Sequence, residues 1–81
     1  PDIQMQRTPR STRIVHIHEN MPGMLAHINK ELAERKINVV GQSLKTNDTI
    51  GYAVTDFEGK GTEPLLASLK QIPGTIAARL L

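Results

Sequence analysis

Two segments of helical period, each associated with a proline, lie among four short runs of strand period, and this alternation constrains the fold more than any single residue does. Residues 13–18 (RIVHIH) predict a first strand, with Val15 and Ile17 on one face and His16 and His18 on the other. Met21, Leu25, Ile28 and Leu32 then recur at helical steps. Pro22 sits where a first-turn proline belongs and Asn20 lies just upstream, so the spacing predicts an amphipathic helix running to about Arg35. Residues 38–45 and 50–57 read as strands joined by Thr46, Asn47 and Asp48, which supply hairpin-turn chemistry. After a polar loop at 58–61, Thr62 can cap and Pro64 fits an early helical turn. Leu65, Leu69 and Ile72 make a second stripe, stopped by Pro73 and Gly74. Residues 75–81 (TIAARLL) predict a fourth strand.

The order is therefore βαββαβ. Because each βαβ crossover is right-handed, two such units place both helices on one face of a four-stranded antiparallel sheet, an α+β, ferredoxin-like arrangement with the other face open. A chain of 81 residues has room for one such domain and only a thin core, and Tyr52 and Phe57 are its only aromatics, so aliphatic side chains must fill that core. The net charge of +2 leaves no strong nucleic-acid footprint. With no cysteine there is no disulfide framework and no thiolate zinc site, which fits a reducing compartment, the cytoplasm by default. The sequence holds no apolar run long enough for a membrane span. Residues 1–12 are polar, carry two prolines and lack a sustained period, and are expected to be a linker from an upstream part of a larger protein.

The most informative stretch is residues 16–25 (HIHENMPGML), where a strand ends and a Pro-Gly pair opens a helix. Free N–H groups at a helix start attract a carboxylate, and Gly23 is expected to permit close backbone approach. His18 can donate to that carboxylate, and Asn20, with amide donors and a carbonyl acceptor, can serve either end of a zwitterion. A free amino acid fits this inventory. An equally plain reading makes Asn20 a helix cap and His18 a packed strand-end residue, and spacing alone leaves both open.

The residues Asn20, Pro22, Gly23 and Leu25, within a βαββαβ order, resemble the signature of the ACT domain family. The longer match adds HIHEN at 16–20, NV at 38–39, GY at 51–52 and IPGTI with ARLL at 72–81. Together these are similar to the C-terminal regulatory domains of bacterial D-3-phosphoglycerate dehydrogenases. That resemblance implies an ACT regulatory domain over residues 13–81, with 1–12 joining it to the catalytic part, and no catalytic residue or cofactor within this chain, NAD belonging to the parent enzyme. It further implies a homodimer paired edge to edge, with L-serine as feedback inhibitor held by His18 and Asn20 of one chain and Asn38 of the facing chain, while Pro22 and Gly23 shape the loop. Pairing is expected through the first strand and the adjoining helix.

Rival readings follow from other features. His16 and His18 at i, i+2 could chelate a metal with His27, but Glu19 faces away and His27 reads as a partly exposed helix residue, so no metal site is expected. An RNA module would stack bases on strand aromatics, whereas Tyr52 and Phe57 fall on opposite faces of one strand, so no nucleic-acid partner is expected. Independent catalysis lacks a nucleophile elbow or paired carboxylates, since Asp56 and Glu58 read as solvated strand-end residues. A ligand-free structural dimerisation module is the principal alternative. Glu31 and Arg35, at i, i+4, are expected to pair on a solvated helix face.

Overall fold

A computed structural model of the chain describes residues 10–59 and 63–81. Its elements run β1 (Ser11–Glu19), α1 (Met24–Glu34), β2 (Val39–Thr46), β3 (Ile50–Glu58), α2 (Glu63–Lys70) and β4 (Thr75–Leu80), the βαββαβ order that the sequence predicts. The strands form one sheet in the order β2-β3-β1-β4, with antiparallel neighbours throughout. The expected cap at Thr62 and all but three residues of the expected linker lie outside the described residues; of those three, Ser11 and Thr12 begin β1.

Two features differ from expectation in ways that matter for function. β1 lies between β3 and β4, so it has no free edge, and pairing of two sheets through the first strand is excluded; the edges are β2 and β4. The helix also starts later. Gly23 is its N-cap with φ of 81°, a left-handed conformation that only glycine adopts cheaply, so α1 begins at Met24, and Pro22 stands before the helix instead of in its first turn. Met24 accordingly takes the buried position, while Met21 is left exposed.

The core lies between the sheet and both helices. Met24, Ile28 and Leu32 of α1 meet Leu65 and Leu69 of α2, Ile72 beyond it, and Ile14, Ala53, Phe57 and Ala78 of the strands. Each fully buried aliphatic or aromatic side chain contributes roughly 1.5–3 kcal/mol relative to exposure. Under the outer half of the sheet, Gln42 donates 2.8 Å to Asn29 of α1 and 2.9 Å to Thr55 of β3, so α1 is tied to β2 by a polar contact. At the far end of α1, the Ile37 N–H reaches the Leu32 carbonyl and the Lys36 N–H the Ala33 carbonyl, both at 3.0 Å, a closing motif that holds Lys36 at a left-handed φ of 57°. Glu31 and Arg35 pair at 2.9 Å as expected.

β1 turns its histidines inward. Ile14, His16 and His18 are buried, whereas Val15 and Ile17 on the opposite face are only partly so. One carboxylate also departs from expectation. Glu58 is exposed, but Asp56 is 1% exposed and accepts two hydrogen bonds from the Arg13 guanidinium, at 2.7 and 2.9 Å. The two residues are register partners on adjacent strands, and the guanidinium fork supplies the counter-charge that a buried carboxylate requires. The same pair raises the pKa of Arg13, chiefly through the hydrogen bond to Asp56.

Candidate functional site

The end of β1 is held from both sides: the Glu19 N–H bonds the Gly74 carbonyl at 2.8 Å, and the Asn20 N–H bonds the Thr49 carbonyl at 3.0 Å. The hairpin turn that supplies Thr49 is itself organised by Asn47, whose Oδ1 accepts from the backbone N–H groups of Thr49 and Ile50 at 2.9 and 2.8 Å. Asn20 does not cap α1. Its side-chain amide donates 2.7 Å to the Asn47 carbonyl, stitching the loop before the helix to the hairpin turn and leaving its own carbonyl oxygen available as an acceptor. Among the described residues no side chain caps α1, and no acidic residue occupies its first turn, so its N-terminal N–H groups and positive dipole end open next to Gly23.

His18 lies behind this loop, 2% exposed. Its Nδ1 is 2.9 Å from the Glu19 carbonyl, which can only accept, so Nδ1 is the donor and Nε2 is the ring nitrogen left for another partner. That Nε2 is buried with no hydrogen-bond partner among the described residues. The ring fits because its register partner on β3 is Gly51: a Cβ there would collide with Cε1 and lie 2.9 Å from both ring nitrogens. Gly51 is a contributor that sequence reasoning did not assign to the site, although the Gly51–Tyr52 pair carried part of the resemblance. His16 lies beside His18 with ring centroids 5.3 Å apart. Burial lowers its pKa from the usual 6.5 to about 4; the neighbouring His18 adds to that shift and the Leu69 carbonyl opposes it.

The expected site residues are thus divided. His18, Asn20, Pro22 and Gly23 gather at the hairpin-turn end of the sheet. Asn38 lies at the other end, where its carbonyl accepts from the Glu58 N–H at 3.0 Å and its side-chain amide bonds the Glu58 carboxylate. Glu58 is level with Ser11 and Gly51 with His18, so about seven residues of strand, roughly 23 Å, separate Asn38 from His18 within one chain. One chain alone cannot assemble the three side chains around one small ligand. His27 lines a groove between the helices with Lys30, Glu31, Ser68 and Gln71, and no cluster of three metal-ligating side chains occurs among the described residues.

A four-stranded antiparallel sheet in βαββαβ order, packed on two helices, defines the class of small α+β domains of the ferredoxin-like arrangement. The family model described as AHAS small subunit-like ACT domain matches residues 14–77, and the chain belongs to the ACT domain family. It is 42% identical over all 81 of its residues to D-3-phosphoglycerate dehydrogenase of Haemophilus influenzae, and 48% identical over 71 residues, 85% of the chain, to that of Escherichia coli K12. The chain spans about a fifth of the length of these relatives, 20% and 17% respectively. Among solved structures, the ACT domain from GTP pyrophosphokinase of Chlorobium tepidum superposes with a TM-score of 0.76 at 21% identity, covering 91% of this chain and 100% of that one, a likeness of fold.

Proposed function

We propose that this chain is the effector domain of a D-3-phosphoglycerate dehydrogenase, binding L-serine at a seam between two copies and thereby giving feedback inhibition of an NAD-dependent, cytoplasmic enzyme of serine biosynthesis. The observation that carries the reading is the division of the expected ligands between opposite ends of one sheet. β2 is an edge strand with Val39, Val40 and Leu44 exposed. Two copies joined antiparallel along β2 bring the partner's Asn38 to the Thr46 end of this chain, the end that holds His18 and Asn20. Each chain then supplies the half-site its partner lacks.

In such a site the N–H groups opening α1 take the ligand carboxylate. Asn20 and the partner's Asn38 offer acceptors to the ammonium, and His18, whose Nδ1–H is taken up by the Glu19 carbonyl and so is not the carboxylate donor expected from the sequence, turns Nε2 to the ammonium or the hydroxyl. A ligand touching both chains stabilises the paired arrangement in proportion to its preference for that arrangement, and pairing restrains whatever hinge the catalytic part must move. The exposed β2 residues equally suit the second reading, a dimerisation module without a ligand.

Calorimetric titration with L-serine, using D-serine and glycine as controls and light scattering alongside, separates the two. Saturable heat with L-serine alone, on a dimer, supports the effector reading. A dimer that gives no heat at millimolar L-serine leaves the structural module, and a monomer at tens of micromolar with and without L-serine removes both.

A further inference from the structure

His16 is a buried histidine that the proposed ligand site does not use, and its hydrogen bonds are unusual for a core residue. Its Nε2 lies 2.7 Å from Thr75 Oγ1, and that hydroxyl lies 3.1 Å from the Leu69 carbonyl. A carbonyl cannot donate, so the single hydroxyl hydrogen points to Leu69 and Thr75 Oγ1 must accept from His16. His16 therefore carries its proton on Nε2 and holds a lone pair on Nδ1, a buried nitrogen with no partner. His18 has the opposite tautomer, with Nδ1–H bonded to the Glu19 carbonyl and the lone pair on Nε2. The low pKa of His16, about 4, keeps its ring neutral at neutral pH, and the Thr75 hydroxyl selects the tautomer protonated at Nε2.

We propose that His16 and Thr75 are positioning residues that hold the His18 ring in the one orientation in which Nδ1 donates to the Glu19 carbonyl, and so leave Nε2 as an acceptor for the ligand. This rests on the reading of His18 as a ligand residue. The His18 ring is confined between the His16 ring, 5.3 Å away, and the Cα of Gly51, where no Cβ would fit. His16 is itself fixed by a relay whose far members are Leu69, near the end of α2, and Thr75, the first residue of β4. Two imidazoles side by side, each with a buried ring nitrogen that has no hydrogen-bond partner among the described residues, are an arrangement that packing alone does not favour, because each such nitrogen forgoes a hydrogen bond with water. It is accounted for if one of those nitrogens is reserved for a ligand and the other belongs to the ring that keeps it aimed.

The test is ring ¹⁵N–¹H correlation NMR on the ligand-free chain, followed by L-serine titration. The wild-type chain is expected to show His16 protonated at Nε2 and His18 at Nδ1. Thr75→Val removes the hydroxyl that orders His16. It is expected to turn the His18 signals into a tautomer average and to weaken L-serine binding about tenfold, with cooperative melting retained. Thr75→Ser keeps the hydroxyl and is expected to restore both. Should Thr75→Val fail to fold, His16→Gln serves instead, since its amide can still donate to Thr75 while the flanking ring is gone. A His18 that stays protonated at Nδ1 with unchanged affinity in these variants overturns the proposal, as does a wild-type His18 protonated at Nε2. A wild-type chain that gives no heat with L-serine sinks the ligand reading instead, and the ligand-free spectra still decide whether the relay orders His18.

Discussion

At one end of the sheet Arg13 and Asp56 close a buried ion pair and Asn38 is bonded twice to Glu58; at the other, His18 keeps a buried ring nitrogen without a partner and α1 begins with no side-chain cap. The strands joining the two ends are the same, so the difference lies in which polar groups were given partners. A satisfied buried charge makes that end rigid and specific. An unsatisfied buried acceptor costs about 1–3 kcal/mol, and persists where an incoming group offsets it. The completed end reads as structure, and under the proposed function the incomplete end is where a ligand finishes the hydrogen bonding.

The comparison breaks most readily at the ion pair. Arg13→Met leaves the 1%-exposed Asp56 without its guanidinium, and the expected loss of unfolding free energy is about 3 kcal/mol or more in urea titration, with L-serine binding per folded chain unchanged. A loss below about 1 kcal/mol would show that Asp56 is supported by other groups and that this end is less dependent on the pair than its geometry implies.

Acid probes the histidine end. His16 is held neutral in the fold with a pKa of about 4, whereas the unfolded chain takes up a proton near 6.5. Below about pH 6.5 the unfolded state therefore binds more protons than the folded state. Stability is intact above that pH and declines as it falls towards 4, by a total on the order of 3 kcal/mol from this group. Denaturant midpoints measured from pH 7 to pH 4 check this, and His16→Gln should flatten that part of the profile.

Asn38→Ala sharpens the contrast, because this residue stands at the completed end yet is assigned to a partner's incomplete one. Binding of L-serine is expected to weaken by roughly 1–3 kcal/mol, while the melting of the unliganded chain moves little, since the Glu58 side-chain contact it loses is exposed. Unchanged affinity would remove Asn38 from the site. The smallest effect belongs to Lys36, held at a left-handed φ. Lys36→Gly relieves that conformation and should raise thermal stability by about 0.5–1 kcal/mol without changing L-serine affinity.

The order of elements, the helix stripes and the inventory at residues 16–25 were legible in the sequence because each is set by local period or by proline and glycine. Ile28, Leu32, Leu65, Leu69 and Ile72 all reached the core as their spacing implied. What stayed hidden depends on partners distant in sequence. Alternation separates His16 and His18 from Val15 and Ile17 but does not say which pair turns inward, because that choice rests on Thr75, 59 residues away, and on the room left by Gly51. Asp56 looked solvated for the same reason, its Arg13 partner being 43 residues earlier. The pairing edge was misjudged because strand order in a sheet is not written in the order of strands along the chain.

The separation of Asn38 from His18 along one sheet has a genetic consequence under the proposed pairing. A chain altered at His18 and a chain altered at Asn38 each fail to bind L-serine as homodimers, since every site in either lacks one of its side chains. Mixed together they form hybrids in which the intact His18 of one chain meets the intact Asn38 of the other at one seam, and both lesions fall together at the second. Two serine-insensitive alleles would then regain part of the feedback inhibition when expressed together, with restored sites never exceeding one per hybrid pair.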